Sequence, residues 1–316
     1  VRALKQLPRL SNLADVPGVQ QMPLVGTLGR LTARAQNLLA SSDDADILGP
    51  RPVSVPRTRF NGRITRHRRF SFGSLPLDRI KAIKNEAGVS VNDVVVTVCA
   101  TAVREYLLAR DELPDEPLVS MVPVSVRTPE EVGTFGNKVG AMIVPIPTDV
   151  PDHRDRLMTA HETLSVAKTR HKAVPATLMQ DMTEFIPPAV HARASRLTMQ
   201  LAAAGVGRPM LNLVISNVPG PPMPLYMAGA QLHAHFPVSV ITDGVGLNIT
   251  CMSYQDHVDF GVVVDREMAD DAWEFMDRLS DALRDLDGAI CGKRVVSSKH
   301  GSRPAARRSE ASPSHA

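Results

Sequence analysis

Residues 89–113 read VSVNDVVVTVCATAVREYLLARDEL and define the centre of the fold. Asp93 follows Ser90 by three places, an acidic form of the capping box, and this pattern predicts that a helix begins here. The run 94–100 has almost no polar face, so we expect the first turns of the helix to be buried on nearly all sides. From Arg104 onward the sequence becomes polar, which indicates a return to solvent. Such a helix requires a large apolar body around it.

Strands and helices alternate on both sides of this helix. Upstream, the sequence predicts a strand near 68–72 and a short helix, 77–87, that Gly88 ends. The other predicted strands are 118–126, 139–147, 211–217, 231–240, 246–254 and 258–265, and the other predicted helices are 24–39, 152–171, 188–204 and 270–287. The last helix places its large apolar residues on one stripe: Trp273, Met276, Leu279, Leu283 and Leu286. This order predicts an α/β fold with a mixed β-sheet covered by helices.

Composition limits the class of function. Apolar residues make up 43% of the 316 residues, enough for a core, whereas aromatic residues make up only 4%, so we expect no base-stacking surface and no nucleic-acid partner. The three cysteines are widely separated and odd in number, which favours a reducing, cytoplasmic compartment over a disulfide framework or a CxxC metal site. The longest apolar stretch, 94–103, is shorter than the about 20 residues that span a bilayer, so we expect any membrane contact to be peripheral.

Charge is distributed unevenly along the chain. Residues 1–70 hold 12 Lys and Arg against 4 Asp and Glu, and residues 292–316 hold 6 against 1, whereas the middle of the chain holds 18 against 28. The basic ends form either a patch that binds anionic lipid or nucleic acid, or arms that are solvated. We favour the solvated arms. The prolines of 49–60 predict an extended connector. We therefore expect a linker and helix at 1–60, a folded domain at 61–291 and a disordered basic tail at 292–316.

Two short motifs are candidates for a functional site. Asn92 and Asp93 lie in the first turn of the buried helix, where their side chains either cap the helix or reach a neighbouring loop or ligand. The fragment SNVPGPP, 216–222, follows a buried strand with a proline-rich turn that has few backbone donors. A rigid turn of this kind either shapes a pocket wall or simply ends a strand.

Several other patterns do not indicate a site. His233 and His235 alternate as on one face of a strand, and a zinc site needs further ligands, so we interpret them as ordinary strand histidines and expect no metal. The sequence DFG at 259–261 lacks the other kinase motifs, and no GxSxG nucleophile elbow is present. The basic run 66–69 either contacts a phosphate or an anionic lipid or forms one edge of a strand.

Five ordered segments carry a resemblance to a known family. They are 75–107 (LPLDRIKAIKNEAGVSVNDVVVTVCATAVREYL), 121–127 (MVPVSVR), 135–149 (FGNKVGAMIVPIPTD), 213–222 (LVISNVPGPP) and 259–283 (DFGVVVDREMADDAWEFMDRLSDAL). In this order and spacing, over roughly residues 50–290, the chain resembles the later two thirds of the bacterial, especially actinobacterial, wax ester synthase/diacylglycerol acyltransferase family. The resemblance implies a fold like the CoA-dependent, chloramphenicol acetyltransferase-like enzymes, in which two similar halves surround a tunnel, here with only part of the first half.

The resemblance also implies a reaction and its residues. The family transfers a fatty acyl group from acyl-CoA, used as co-substrate without another cofactor, to diacylglycerol or a long-chain alcohol. Its general base is the second histidine of an HHxxxDG motif, which is absent here: Asp243-Gly244 has Ser239 where that histidine would stand, and His235 is too far upstream. We therefore expect no catalytic residue in this chain. Supporting roles are expected for the residues that match the family's motifs: Asn92, Asp93, Ser216, Asn217, Pro219 and Gly220.

Three functional hypotheses remain. The first is the C-terminal part of the acyltransferase, active only with the first half supplied as a separate chain. The second is an inactive remnant or scaffold that binds acyl chains, a partner or lipid droplets. The third is a related condensation enzyme that uses a carrier-bound acyl group. We expect a cytoplasmic protein, with peripheral attachment to the inner membrane or lipid droplets left open.

Overall fold

The computed structural model describes residues 54–125, 139–173 and 209–292. It contains four helices in these ranges: α1 (Leu77–Ala87), α2 (Val91–Leu108), α3 (His153–Ala173) and α4 (Trp273–Cys291). The described strands are β1 (Arg68–Pro76), β2 (Leu118–Ser125), β3 (Val139–Ile146), β4 (Leu213–Val218), β5 (Tyr226–Met227), β6 (Ala230–Gln231), β7 (Leu247–Tyr254) and β8 (His257–Asp265). A 3₁₀ turn, Arg59–Asn61, precedes β1.

Six of these strands form one mixed sheet in the order β1-β8-β7-β4-β2-β3. Neighbours are antiparallel except for β4, which runs parallel to both β2 and β7. The strands β5 and β6 form a separate two-stranded hairpin. A single apolar core joins the six-stranded sheet to all four helices, and the predicted α/β class with a helix-covered mixed sheet is confirmed.

The predicted start of α2 is confirmed by its hydrogen bonds. Ser90 Oγ accepts from the backbone N–H of Asp93 at 3.2 Å, and the backbone N–H of Ser90 donates to Asp93 Oδ2 at 2.9 Å. The helix is buried as predicted, although its valines and threonines are not strong helix formers. Thr97 and Thr101 satisfy their buried hydroxyls by donating to the carbonyls of Asp93 and Thr97. Burial therefore overrides the weak local preference for helix.

The predicted stripe of α4 is also confirmed. Its four inner residues are buried in the common core: Met276, Leu279, Leu283 and Leu286. Trp273, at the first position of the helix, is 38% exposed and packs at a tilt against Phe72, with ring centroids 5.3 Å apart. An ion pair joins the start of α4 to the end of α2, because the Arg110 guanidinium donates to both carboxylate oxygens of Glu274 at 3.0 and 2.7 Å.

The predicted strand at 231–240 is wrong. Only Ala230–Gln231 pairs as a strand, and the backbone that follows bonds to side chains of the sheet instead. The N–H of His235 donates to Asp259 Oδ2 at 2.6 Å, and the carbonyl of Val240 accepts from Asn248 Nδ2 at 3.1 Å. His233 and His235 therefore do not lie in a strand, and the interpretation of their alternation as strand histidines is wrong. The segment crosses β8 at Gly261, where a Cβ would lie 1.7 Å from the Pro237 carbonyl oxygen.

Three predictions lie outside the described residues: the helices 24–39 and 188–204 and the disorder of the tail beyond residue 292. Across the described ranges, no single helix combines the length and apolar character needed to cross a bilayer. The pair α1 and α2 meets those criteria only when taken together, by length and composition, with a bend of 108° between them. Within the same ranges, no three His, Cys, Asp or Glu side chains gather as metal ligands.

Candidate functional site

A cavity of about 470 Å³ lies beside the first turn of α2. Its walls are made by residues of α2, β2, α3, β4, β7 and β8 and by the turn after β4. The polar residues that line it are Ser90, Asn92, Lys168, Asn217 and Ser253, and the remaining lining residues are valines and prolines. Such a wall can hydrogen-bond to polar groups of a ligand and pack against its apolar parts.

The cavity brings the two sequence motifs together. Asn217, near the end of β4, donates from Nδ2 to Asn92 Oδ1 at 3.3 Å. The Oδ1 of Asn217 in turn accepts from the Cys251 thiol at 3.4 Å. Burial, with a smaller contribution from the nearby Cys99, raises the pKa of Cys251 well above its ordinary value, so the thiol stays protonated and acts as a donor. Both asparagines line the cavity.

Asp93 is not itself a lining residue, and its side chain points into a contact between α2 and α3. Its side chain is 1% exposed, and Oδ2 accepts from His161 Nδ1 at 2.7 Å in addition to the capping bond from Ser90. Lys168 Nζ lies 3.6 Å from Asp93 Oδ1, and no described residue hydrogen-bonds to that oxygen. The predicted capping role of Asp93 is thus confirmed, and the same carboxylate also binds α3.

The electrostatics of this contact favour an ionised Asp93. Burial raises the pKa of the Asp93 carboxyl, but the hydrogen bonds from His161 and Ser90 and the charge of Lys168 outweigh it, so the pKa lies below its ordinary value. A carboxylate only accepts hydrogen bonds, so His161 Nδ1 carries the hydrogen in this contact. The Nε2 atom of His161 is the ring nitrogen left for other partners.

Sequence reasoning missed His161 and Lys168. Both lie in the predicted helix 152–171, and their spacing of seven residues puts them on one face of it. Their partner, however, is 68 residues before His161 in the chain. The spacing alone therefore marks them as neighbours but does not identify Asp93.

The turn after β4 is held against β7. The backbone N–H of Gly220 donates to Ser253 Oγ at 3.1 Å, and Pro219 lines the cavity. Ser216 lies within β4 opposite Thr250 of β7 in the parallel register. Of the motif residues with predicted supporting roles, Asn92, Asn217 and Pro219 line the cavity, whereas Asp93, Ser216 and Gly220 do not.

The other candidates lie elsewhere in the structure. Asp243 Oδ1 accepts from the backbone N–H of Ile64 at 3.0 Å, so the Asp-Gly pair at 243–244 forms a turn that holds the chain before β1. Arg68 begins β1, an edge strand of the sheet, as one interpretation of the basic run predicted. None of the described residues that line the cavity is a histidine.

Comparison with protein families gives two matches along the chain. The model of the wax ester synthase/diacylglycerol acyltransferase catalytic domain matches residues 4–95, and that of the WS/DGAT C-terminal domain matches residues 135–287. The first match includes Asn92 and Asp93, and the second includes Lys168, Asn217 and Ser253. The likeness thus begins earlier in the chain than the range 50–290 carried by the sequence motifs.

Individual relatives agree with the family matches. A Mycobacterium tuberculosis (strain H37Rv) protein that carries the name diacylglycerol O-acyltransferase is 40% identical over 240 residues, which are 76% of this chain and 52% of the relative. The O-acyltransferase WSD of Acinetobacter baylyi is 31% identical over 244 residues, or 77% of this chain and 51% of the relative.

A solved structure shows the same likeness in three dimensions. The wax ester synthase/diacylglycerol acyltransferase of Marinobacter aquaeolei VT8 superposes with a TM-score of 0.58 and 34% identity, covering 74% of this chain and 52% of that one. The chain spans about half the length of the relatives it matches. With two domain models in order, these relatives and the shared fold, the chain belongs to the wax ester synthase/diacylglycerol acyltransferase family.

Proposed function

We propose that the chain forms part of the active site of an enzyme that transfers a fatty acyl group from acyl-CoA to diacylglycerol or to a long-chain alcohol. The observation that carries the proposal is the meeting of Asn92 and Asn217 at the cavity wall, since one comes from the catalytic-domain match and the other from the C-terminal match. The names of the relatives support the same reaction.

The proposed reaction exchanges one acyl bond for another. The acceptor hydroxyl oxygen attacks the thioester carbonyl carbon, a C–O bond forms, and the C–S bond breaks. The hydroxyl proton passes to a general base and from there to the leaving thiolate of CoA, so the products are an ester and free CoA. No metal or redox step is needed to balance it.

In this proposal the cavity binds and orients the donor. The amides of Asn92 and Asn217 and the hydroxyl of Ser253 hydrogen-bond to polar groups of the acyl carrier, while the valines and prolines pack against its apolar parts. The Lys168 ammonium supplies a positive charge at the same wall. We assign the general base to an HHxxxDG segment outside this sequence, because no two histidines are adjacent within the 316 residues.

The test is acyl transfer measured with the chain and with a complementing segment. Radiolabelled palmitoyl-CoA and diacylglycerol are incubated with the chain alone, with a family member's HHxxxDG segment alone, and with both together. We expect triacylglycerol only from the mixture, and expect Asn92→Ala or Asn217→Ala to reduce it. Turnover by the chain alone would refute the assignment of the base, and a mixture without turnover or acyl-CoA binding would refute the proposal.

A second candidate function is a non-catalytic scaffold that binds acyl chains, a partner or a lipid surface, and the absence of HHxxxDG from the sequence favours it. It predicts palmitoyl-CoA binding with no transfer in any mixture. We also propose a cytoplasmic location with peripheral membrane attachment, and liposome flotation at low and high salt tests the attachment, because binding through the basic ends weakens with screening. Replacing palmitoyl-CoA with a palmitoylated carrier protein separates acyl-CoA from a carrier thioester as the donor.

A further inference from the structure

The carboxylate of Asp93 connects two helices through a small number of contacts. On α2 it accepts from the Ser90 backbone and closes the first turn. On α3 it binds His161 Nδ1 at 2.7 Å and lies 3.6 Å from Lys168 Nζ. His161 and Lys168 are both partly exposed, at 38% and 41% of the side chain, whereas Asp93 is buried. Both side chains therefore reach inward from α3 to one buried acceptor.

Asn92 is the residue through which this contact reaches the cavity. Asn92 is bonded directly to Asp93 in the first turn of α2. A displacement of the Asp93 backbone therefore moves the Asn92 backbone as well. The described hydrogen bond to its side chain is the one from Asn217, and its length of 3.3 Å lies just beyond the usual range of about 2.7–3.2 Å. A bond of this length tolerates little displacement of either partner. Asn217, on β4, also accepts a hydrogen bond from the thiol of Cys251 on β7.

We propose that His161 and Lys168 are positioning residues that act through Asp93. They hold the first turn of α2 against α3, and this places the Asn92 amide on the cavity wall within reach of Asn217. The role of Asn92 toward a ligand rests on the proposed function, whereas its placement by His161 and Lys168 does not. Neither side chain needs to touch the reacting atoms for this role.

The placement is tested on the full chain by NMR of the Asn92 side-chain amide, assigned by its loss in Asn92→Ala. We expect His161→Ala and Lys168→Met to shift this resonance, because each removes a contact of Asp93. His161→Asn offers an amide donor in place of Nδ1 and should keep the wild-type resonance, as should Lys168→Arg. Glu162→Ala, at an exposed position of the same helix, is the matched control and should change nothing.

Binding of palmitoyl-CoA supplies a second measurement. We expect His161→Ala to weaken binding about tenfold, the equivalent of one hydrogen bond, and His161→Asn to restore it. In the Asn92→Ala background, His161→Ala should cause no further loss, because the group through which it acts is gone.

The outcomes separate the two proposals. An Asn92 resonance that stays unmoved in His161→Ala, even if the variant is less stable, would overturn the positioning role. Equal losses of affinity in the wild-type and Asn92→Ala backgrounds would overturn it as well. A wild-type chain that does not bind palmitoyl-CoA would count against the proposed function, while the NMR shifts would still decide the placement of Asn92.

Discussion

Gly220 and Ser253 approach so closely that a Cβ on the glycine would lie 1.9 Å from the serine carbonyl oxygen. A backbone atom cannot rotate away as a side chain can. We therefore expect Gly220→Ala to displace the turn after β4 and to lower the free energy of unfolding by about 2 kcal/mol, as overpacking does. Urea denaturation measures the change. The double variant with Ser253→Ala should not recover, because the carbonyl remains; wild-type stability in Gly220→Ala would contradict the close approach.

Removal of the Asp93 carboxylate should destabilise the chain. Asp93→Ala loses the cap of α2 and the bonds to α3, and we expect a loss of about 2 kcal/mol in the free energy of unfolding. Chemical denaturation with circular dichroism detects it. Asp78→Ala, in the first turn of α1 and exposed, serves as the control and should cost less. Equal losses in the two variants would mean that the contacts with His161 and Lys168 add nothing.

The same carboxylate predicts a pH dependence. The pKa of Asp93 lies below its ordinary value in the folded chain, so the unfolded chain binds its proton more readily. Its stabilisation is therefore present above about pH 5 and is lost as the pH falls through about 4 and below. The difference in unfolding free energy between wild type and Asp93→Asn should stay constant near neutrality and narrow in acid. Other carboxylates contribute equally to both proteins, so their effects cancel in this difference. A difference in unfolding free energy that grows in acid would contradict the lowered pKa of Asp93.

Replacing Arg110 with lysine should loosen the contact between α2 and α4. The Arg110 guanidinium binds both oxygens of Glu274 and lies 3.7 Å from the centre of the Tyr106 ring. Lysine reproduces the charge but neither the paired hydrogen bonds nor the planar stacking. We expect Arg110→Lys to cost about 1 kcal/mol in urea denaturation. Arg284→Lys, on the exposed side of α4, should cost less, and the reverse order would refute the argument.

The buried cysteines should resist thiol reagents in the native chain. Burial raises the pKa of Cys99 to about 12 and that of Cys251 well above its ordinary value, so neither forms much thiolate at pH 8. Cys291 is less buried than either. We expect an aromatic disulfide reagent to modify Cys291 first and to reach all three thiols only after unfolding. Rapid modification in a native Cys291→Ser variant would show that the interior opens.

The predictable parts of the fold are those whose signals are local. The capping box at Ser90 and the stripe of α4 depend on residues within one or two turns, and both are confirmed. The segment 231–240 alternates as a strand does, but its backbone bonds to Asp259 and Asn248, which lie elsewhere in the sequence. A pattern of alternation reports which side chains share a face and does not report what the backbone pairs with.

The candidate site likewise combines residues that local motifs identify with long-range contacts that they do not. The motif residues Asn92 and Asn217 could be chosen from the sequence, whereas their mutual contact spans 125 positions and required the packing of β4 beside α2. His161 and Lys168 lacked any motif, because their role depends on a carboxylate of another helix. Long-range contacts between polar groups leave no periodic trace in the sequence.

The parallel placement of β4 between β2 and β7 has a consequence for the order of folding. The strands β7 and β8 form a hairpin that can close early, since the turn between them is short. In contrast, β4 pairs with β2 and β7 only after long loops have closed, which is entropically slow. We expect pulse-labelled hydrogen exchange during refolding to protect β4 after β7 and β8. Because β4 carries Asn217, the cavity wall would then form after the β7–β8 hairpin, and slowly folding variants would accumulate with the hairpin formed and this wall incomplete.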